Sequence, residues 1–582
     1  MKKVLCLVML LAMLVSMVPT MTQAATVDFA DLNGHWARNY VLPLAQDGII
    51  SGKVPGVFDP DAQITRAEFI TLVSKLTNLH PEESAPYADV AANAWFATTV
   101  SAAKAYGAID QNLTADGNFY PDKPISREEM TSVIVRLAEE IRGALLNKKE
   151  GFTDAATFAS WTNEYIAKAA GEGIVTGNPD GSFNAKGNAT RAEAAVIIKR
   201  FRDLLKKPVR KLAAGEIHPA YDAPIFEVDL QKMIEDAYNA GQKTLTLEKG
   251  AYRISAVENI HLNLANMKDF TLDGNGSTLL CQTPSGRGLY VDGCENVIVK
   301  NLNIDYEPLT MWQARVTAVK PDDLCLEIEI PLGYRIYEED RRGFSDEIHT
   351  QVYKPDGTSH YGVPSNQVNN FSKLEKIGDR KYRLKNARMT QLGIEVGDIL
   401  AGGNRNSTKA CVTITDSKEC QFINMGAWGG SVGLGISGGY GAHRFDNFRV
   451  EPGPRPLGAI EDRVMSSVAD AAHINYMHIG PTIENSRFAG AGDDGFNCYG
   501  AFSRVAERKS DTEYVVALSS NASKYFFEQD VLRIYTPEGS YLGTGKIEKL
   551  TKLEGYTPKV NLREDMGVSE FQANGGYVNV KL

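Results

Sequence analysis

Residues 469–500 read A-D-A-A-H-I-N-Y-M-H-I-G-P-T-I-E-N-S-R-F-A-G-A-G-D-D-G-F-N-C-Y-G. The stretch holds three aspartates, Asp470, Asp493 and Asp494, with the first two 23 residues apart. In a solenoid whose coil has that length, Asp470 lies directly beneath Asp493, one strand spacing of ~4.8 Å away. Carboxyl groups that close can divide into an acid and a base, the equipment of glycoside hydrolysis. The same oxygen-rich cluster suits Ca2+, and D-G on its own is an ordinary turn.

Short strands recur on both sides of this stretch. Upstream are F-T-L-D-G-N-G (270–276), G-L-Y-V-D-G-C (288–294), V-I-V-K-N-L-N-I (297–304), C-V-T-I-T (411–415), Q-F-I-N-M (421–425) and F-D-N-F-R-V (445–450), with I-E-N-S-R-F (483–488) inside it. Asparagine often precedes an apolar residue, as at Asn301-Leu302 and Asn447-Phe448. Stacked asparagines are expected at the corners of a solenoid whose coils bury their faces only against one another. Residues 226–240 carry Leu230, Met233, Ile234 and Ala237 at helical spacing, and Thr244–Ile254 alternates as a strand does. That order places a capping helix at the start of the stack. Two segments break the pattern, at about 313–408 and 502–582, and both read as small antiparallel barrels. The chain stops at Y-V-N-V-K-L (577–582) without returning to coil-like strands. Either further coils are missing, or Asp493 and Asp494 lie near the exposed end of the stack. The glycine-rich run 425–441 formally matches a dinucleotide fingerprint but has no βαβ unit around it. Trp428 and Tyr440, in that run, offer faces for sugar stacking.

Residues 27–205 repeat three times, over 27–80, 86–146 and 151–205. Each repeat opens with F-A-D (29–31), Y-A-D (87–89) or F-T-D (152–154), followed by Trp36, Trp95 or Trp161. Each ends in a helix whose start is I-T-R-A-E-F (64–69), I-S-R-E-E-M (125–130) or A-T-R-A-E-A (189–194). Thr65, Ser126 and Thr190 are N-caps, and Glu68, Glu129 and Glu193 complete capping boxes. Arg66, Arg127 and Arg191 stand in the first turn, where a cation opposes the helix dipole by ~0.3–1 kcal/mol. Three at equivalent places point to an anionic ligand, or else to salt bridges within each repeat.

Lys2 and Lys3, the apolar run Val4–Val18 and Thr22–Ala25 read as a secretory signal over 1–25, and no later stretch is long enough to span a membrane. Residues 206–224 lose periodicity and read as a linker to a domain over 225–582. The net charge of −10 argues against a nucleic-acid partner. Six cysteines remain after the signal, with no C-x-x-C pair, so they read as buried thiols rather than a metal site.

The three repeats resemble S-layer homology domains, of which T-R-A-E is the signature. The resemblance implies a pseudo-trimer that binds anionic, pyruvylated secondary cell-wall polysaccharide, with Arg66, Arg127, Arg191, Trp36, Trp95 and Trp161 as its grip. The run D-A-A-H … I-E-N-S-R-F … G-D-D-G-F-N-C-Y-G, with N-L-N-I-D-Y-E-P-L (301–309), resembles glycoside hydrolase family 110. That family comprises inverting exo-α-galactosidases built on a right-handed parallel β-helix with inserted barrels. The resemblance implies Asp493 as general acid, Asp470 and Asp494 as water activators, His473 and Asn497 as substrate contacts, and no cofactor or metal. Polygalacturonases also pair D-D with an upstream aspartate, but no G-H-G or R-I-K follows here. The expected fold is therefore multidomain, with α-helical S-layer homology repeats followed by an all-β right-handed parallel β-helix carrying inserted antiparallel barrels. The expected function is that of a wall-anchored α-1,3-galactosidase. A pectin-type lyase, a polygalacturonase-like hydrolase and a non-catalytic carbohydrate-binding surface protein are the alternatives.

Overall fold

The computed structural model describes residues 27–77, 79, 87–114, 116–336, 348–359, 374–385, 393–404, 409–499, 503–518, 527–536, 539–555 and 577–582. The signal at 1–25 lies outside them. The chain divides into two compact units, residues 1–140 with 144–208, and 141–143 with 209–582.

In the first unit each repeat contributes two main helices, Arg38–Gln46 and Arg66–Thr77, Ala97–Ala105 and Arg127–Arg142, then Asn163–Gly171 and Arg191–Lys206. The repeat-opening aspartates have a local task. Asp31 accepts the amides of Phe58 and Asp59, Asp89 those of Phe119 and Tyr120, and Asp154 those of Phe183 and Asn184. Each pair sits where the loop turns through positive φ, at Asp59, Tyr120 and Asn184. The aspartate thereby fixes a strained turn and buries the phenylalanine beside it, since Phe58, Phe119 and Phe183 are fully buried. All three capping boxes form, with Glu68, Glu129 and Glu193 each reaching back to the N-cap amide.

The repeats close into a ring. The first amides of each second helix are taken by the following repeat's loop: Arg66 by Lys123 O, Arg127 by Gly187 O, and Arg191 by Ala62 O of the first repeat. Orphan donors at three helix starts are satisfied in a cycle.

In the second unit the chain alternates between two parallel sheets. One contains Ala251–Ile254, Thr271–Cys281, Ile298–Tyr306, Gln421–Ala427, Arg444–Val450 and the short Thr482–Glu484 and Arg487–Phe488. The other contains Ile260–Ala265, Arg287–Asp292, Val412–Thr415, Leu434–Ser437, Ala472–Asn475 and Phe496–Tyr499. Each coil pairs in parallel with the one before, Val412 with Leu434 and Gln421 with Arg444 for example. The apolar side chains of both sheets form one core, from Leu262 and Leu272 to Phe448 and Ile474. The expected ladder is present: Asn301 donates to Asp273, Asn424 to Asn301, and Asn447 to Asn424, at 2.8–3.0 Å. All three asparagines have positive φ, which their short amide tolerates at a corner. Helix Leu230–Asn239 packs Leu230 and Ile234 onto the core at the start of the stack.

Two expectations need correction. The segment read as a linker does not stay one. From Val209 it belongs to the second unit, where Ala223–Phe226 pairs in parallel with Ala251–Ile254 and Arg210 grips Glu216 with two hydrogen bonds. Arg210 and the Ala213 amide hold the Glu216 carboxyl down at about 2. The insertion is an open six-stranded antiparallel sheet among the described residues, with Ile348–Tyr353 and Leu374–Gly378 at its edges, not a closed barrel. The C-terminal segment likewise forms a four-stranded antiparallel sheet and a separate hairpin, Val531–Tyr535 with Tyr541–Lys546.

One buried histidine gives the stack a pH limit. His443 is 1% exposed, its Nδ1 accepts the Cys420 amide, and its Nε2 has no partner among the described residues. Burial pushes its pKa from 6.5 down to about 4. The unfolded chain therefore takes up a proton that the folded one refuses, and stability is lost as pH falls from about 6.5 towards 4. The loss totals about 3 kcal/mol, and His443→Phe is expected to remove that part of the slope in urea melts across this range.

Candidate active site

The three aspartates meet at the last coil among the described residues. Their carboxylate oxygens, one from each residue, all lie within 4.8 Å of one another. Asp470 is buried at 1% exposure, while Asp493 and Asp494 are exposed. The register differs from the one the 23-residue spacing implies. Ala472 pairs with Phe496, His473 with Asn497 and Ser467 with Ala491, an offset of 24. Asp494, not Asp493, is thus the coil neighbour of Asp470, and Asp493 precedes it by one residue. The Asp493 amide bonds Ala469 O while Asp494 O accepts from Ala471, an irregular join that brings both side chains to the same corner.

His473 Nδ1 lies 2.6 Å from Asp470 Oδ2, and Asn497 Nδ2 donates to the same oxygen at 3.5 Å. Both residues expected to touch substrate therefore also hold a site carboxylate. Trp428 is not an open stacking face. It is 9% exposed, packed beside Gly426 and Gly453. Tyr440, 38% exposed, carries the Lys418 ammonium over its ring at 5.2 Å.

Two supports were invisible in the sequence. Gln351, on the inserted sheet, donates to Gly492 O at 2.5 Å, just before the aspartate pair. Gly492 admits no side chain, because a Cβ there would stand 2.2 Å from Val468 O. Val468 in turn shares a hydrophobic cluster with Met311 and with Tyr353 and Ile399 of the insertion. Alternation alone could show neither the insertion's direction nor its contact with the last coils.

In the first unit the three arginines are buried rather than presented. Arg66 is 3% exposed, bonds Leu113 O and Phe119 O, and pairs with Glu129 at 2.5 Å. Arg127 bonds Phe183 O and pairs with Glu193 at 2.6 Å. Arg191 bonds Phe58 O and Ser51 O and lies 4.7 Å over the Phe58 ring. Each reaches the next repeat around the ring, so neither the ligand reading nor a bridge within one repeat describes these bonds. Trp36 and Trp95 are 58% and 66% exposed, and Trp161 is half-buried.

Residues 28–70, 86–131 and 151–195 match the S-layer homology domain family. The three N-terminal repeats are S-layer homology domains. Such domains typically bind secondary cell-wall polysaccharide. Curated relatives include an amylopullulanase of Thermoanaerobacterium thermosulfurigenes, 37% identical over 29% of this chain and 9% of its own length. An exoglucanase, XynX, of Acetivibrio thermocellus is 36% identical over 30% of this chain and 16% of its own. These hydrolase matches lie in the S-layer homology region. An S-layer protein of Bacillus licheniformis is 29% identical over 52% of this chain and 34% of its own length. The chain thus spans about a tenth to a third of the relatives named here. It is a secreted protein of the cell surface, associated with the wall. No helix among the described residues is long and apolar enough to cross a membrane.

The exposed tryptophans and buried arginines make separable predictions. Arg66→Ala leaves Glu129, 12% exposed, without its guanidinium. Burial works against that carboxylate, and Arg66 with the Ser126 amide outweighs it and holds its pKa below the ordinary value. The variant is expected to lose about 3 kcal/mol, read as a lower thermal midpoint of the S-layer homology unit. Trp36→Ala with Trp95→Ala is expected to release protein from isolated walls without moving that midpoint.

Proposed function

We propose that the protein is a wall-anchored glycoside hydrolase whose second unit is a right-handed parallel β-helix acting as an inverting exo-α-galactosidase. Its substrate is a glycan ending in α-1,3-linked galactose, and the S-layer homology repeats hold it to secondary wall polysaccharide. The convergence of Asp470, Asp493 and Asp494 carries this reading. Asp493 protonates the leaving oxygen, and the coil neighbours Asp470 and Asp494 hold and deprotonate the water. An inverting pair leaves roughly 6.5–9.5 Å between its carboxyl groups. The nearest oxygens here are closer, so rotation of the exposed Asp493 side chain must open the gap when substrate enters.

That compact arrangement also favours a second reading, in which the carboxylates hold a divalent cation for a polysaccharide lyase. The decisive measurement is turnover of p-nitrophenyl α-galactoside and of α-1,3-galactobiose with EDTA present, with the product anomer followed by NMR. β-Galactose formed first in EDTA supports the proposal. Unsaturated products formed from polygalacturonate without EDTA, and abolished by it, assign the lyase. Glycan binding without turnover assigns a surface lectin.

A further inference from the structure

We propose that the second unit holds a separate subsite for a neutral, hexose-sized sugar residue. It is a cavity of about 180 Å³ between the start of the insertion and the 455–463 loop, lined in part by Glu307, Arg455, Leu457 and Arg463. The proposal rests on the glycan reading of this unit but not on its catalysis.

The cavity wall is built of fixed polar groups with both signs of charge. Arg463, 5% exposed on its side chain, holds Asp305 through two hydrogen bonds at 2.7 and 2.8 Å, and Tyr221 donates to the same carboxylate at 2.8 Å. Arg455 is oriented by Asp462 at 2.9 Å. Glu307, 31% exposed on its side chain, lies 3.5 Å from Arg253 and 3.9 Å from His218. Burial favours its neutral form, but His218 and Arg253 outweigh it and keep its pKa below the ordinary value. Planar guanidinium and carboxylate groups match the vicinal hydroxyls of a sugar in donor and acceptor roles. Arg463, Arg455 and Glu307 each already have an opposite charge beside them, so they serve a ligand as hydrogen-bonding groups rather than as counter-ions. Arg335 on the same wall bonds Leu309 O, and Leu457 supplies an apolar face.

The register places the cavity relative to the carboxylates. Ile304 pairs with Ala427, Ala427 with Val450, and Val450 with Phe488. Asp305 therefore lies three coil spacings from the coil that carries Asp493 and Asp494, roughly 14 Å along the stack. Both sites follow the C-terminal ends of strands in the same sheet. A long glycan reaches both, and a monosaccharide derivative occupies one at a time.

The test uses the full chain. Ligand-observed NMR with galactose, glucose, mannose and N-acetylglucosamine reads binding in the unsubstituted protein, in Leu457→Trp, which fills the cavity, and in Glu307→Gln. An Asp493→Asn background removes turnover from the measurement. At least one hexose is expected to bind, with affinity lowered about tenfold or more in the cavity variants and retained in Asp493→Asn. With an α-galactotetraose, KM is expected to rise by a similar factor at unchanged kcat, while KM for p-nitrophenyl α-galactoside stays constant. Should Leu457→Trp fail to fold, Glu307→Gln decides. Binding by none of the four sugars, or binding that both folded variants leave unchanged, overturns the subsite. Cavity-dependent binding in a protein that hydrolyses nothing keeps the subsite and removes the hydrolase reading.

Discussion

Asp493→Asn is expected to lower kcat on α-1,3-galactobiose by about a hundred- to ten-thousand-fold, the range that a positioned general acid supplies. Asparagine keeps the shape and takes away the proton. The side chain is exposed and the residue's place is set by its backbone bond to Ala469, so the thermal midpoint is expected to hold. The deficit is expected to shrink for p-nitrophenyl α-galactoside, whose leaving group needs little protonation. An equal loss on both substrates would move the acid elsewhere. Asp470→Asn is the instructive contrast. Asp470 is buried against His473, so its replacement changes both the proposed water-activating pair and the packing around it.

Asp305→Asn carries the largest expected cost in stability, about 3–5 kcal/mol. Asp305 is fully buried, and Arg463 loses its only carboxylate among the described ion pairs. Burial works against the Arg463 charge, but the two hydrogen bonds and the charge of Asp305 outweigh it and raise the guanidinium's pKa. The intrinsic basicity of a guanidinium nevertheless keeps the arginine charged in the variant, now without a carboxylate beside it. The same carboxylate, after the larger effect of burial, raises the pKa of Tyr221. Urea unfolding of the second unit reads the loss, and the double variant Asp305→Leu with Arg463→Met is expected to recover much of it. A midpoint unchanged in Asp305→Asn would show that the pair is not enclosed as described.

Much of this architecture was legible in the sequence, for definite physical reasons. Capping boxes and repeat-opening aspartates act within one repeat, so Thr190 and Glu193 could be paired by spacing alone. The Asn301–Asn424–Asn447 ladder was legible because one residue type recurs before an apolar position. What escaped notice depends on contacts between distant segments. Arg66 meets Glu129, 63 residues away, and that glutamate already had a local partner in Ser126. The offset of 24 escaped because the join at Gly492 is irregular, and sequence spacing counts residues rather than paired positions. Trp428 was read by residue type, and the close approach of Gly426 and Gly453 instead lets it sink into the fold. The linker was misread because its prolines suggest a break, whereas Pro219 follows the first strand of a short antiparallel pair and Pro224 pairs with Ile217 inside it.

The ring of S-layer homology repeats has a consequence for how such a unit can be cut and rejoined. Its three joints are equivalent, and in each the helix start of one repeat is finished by the loop of another. Stability is therefore not shared out per repeat, because deleting one opens two joints at once. A two-repeat fragment is left with one helix whose first amides have lost their acceptors and one unused loop, complementary to those of its neighbours. Such fragments are expected to assemble by exchanging these parts between molecules, whereas a circular permutant that keeps all three joints has no such need.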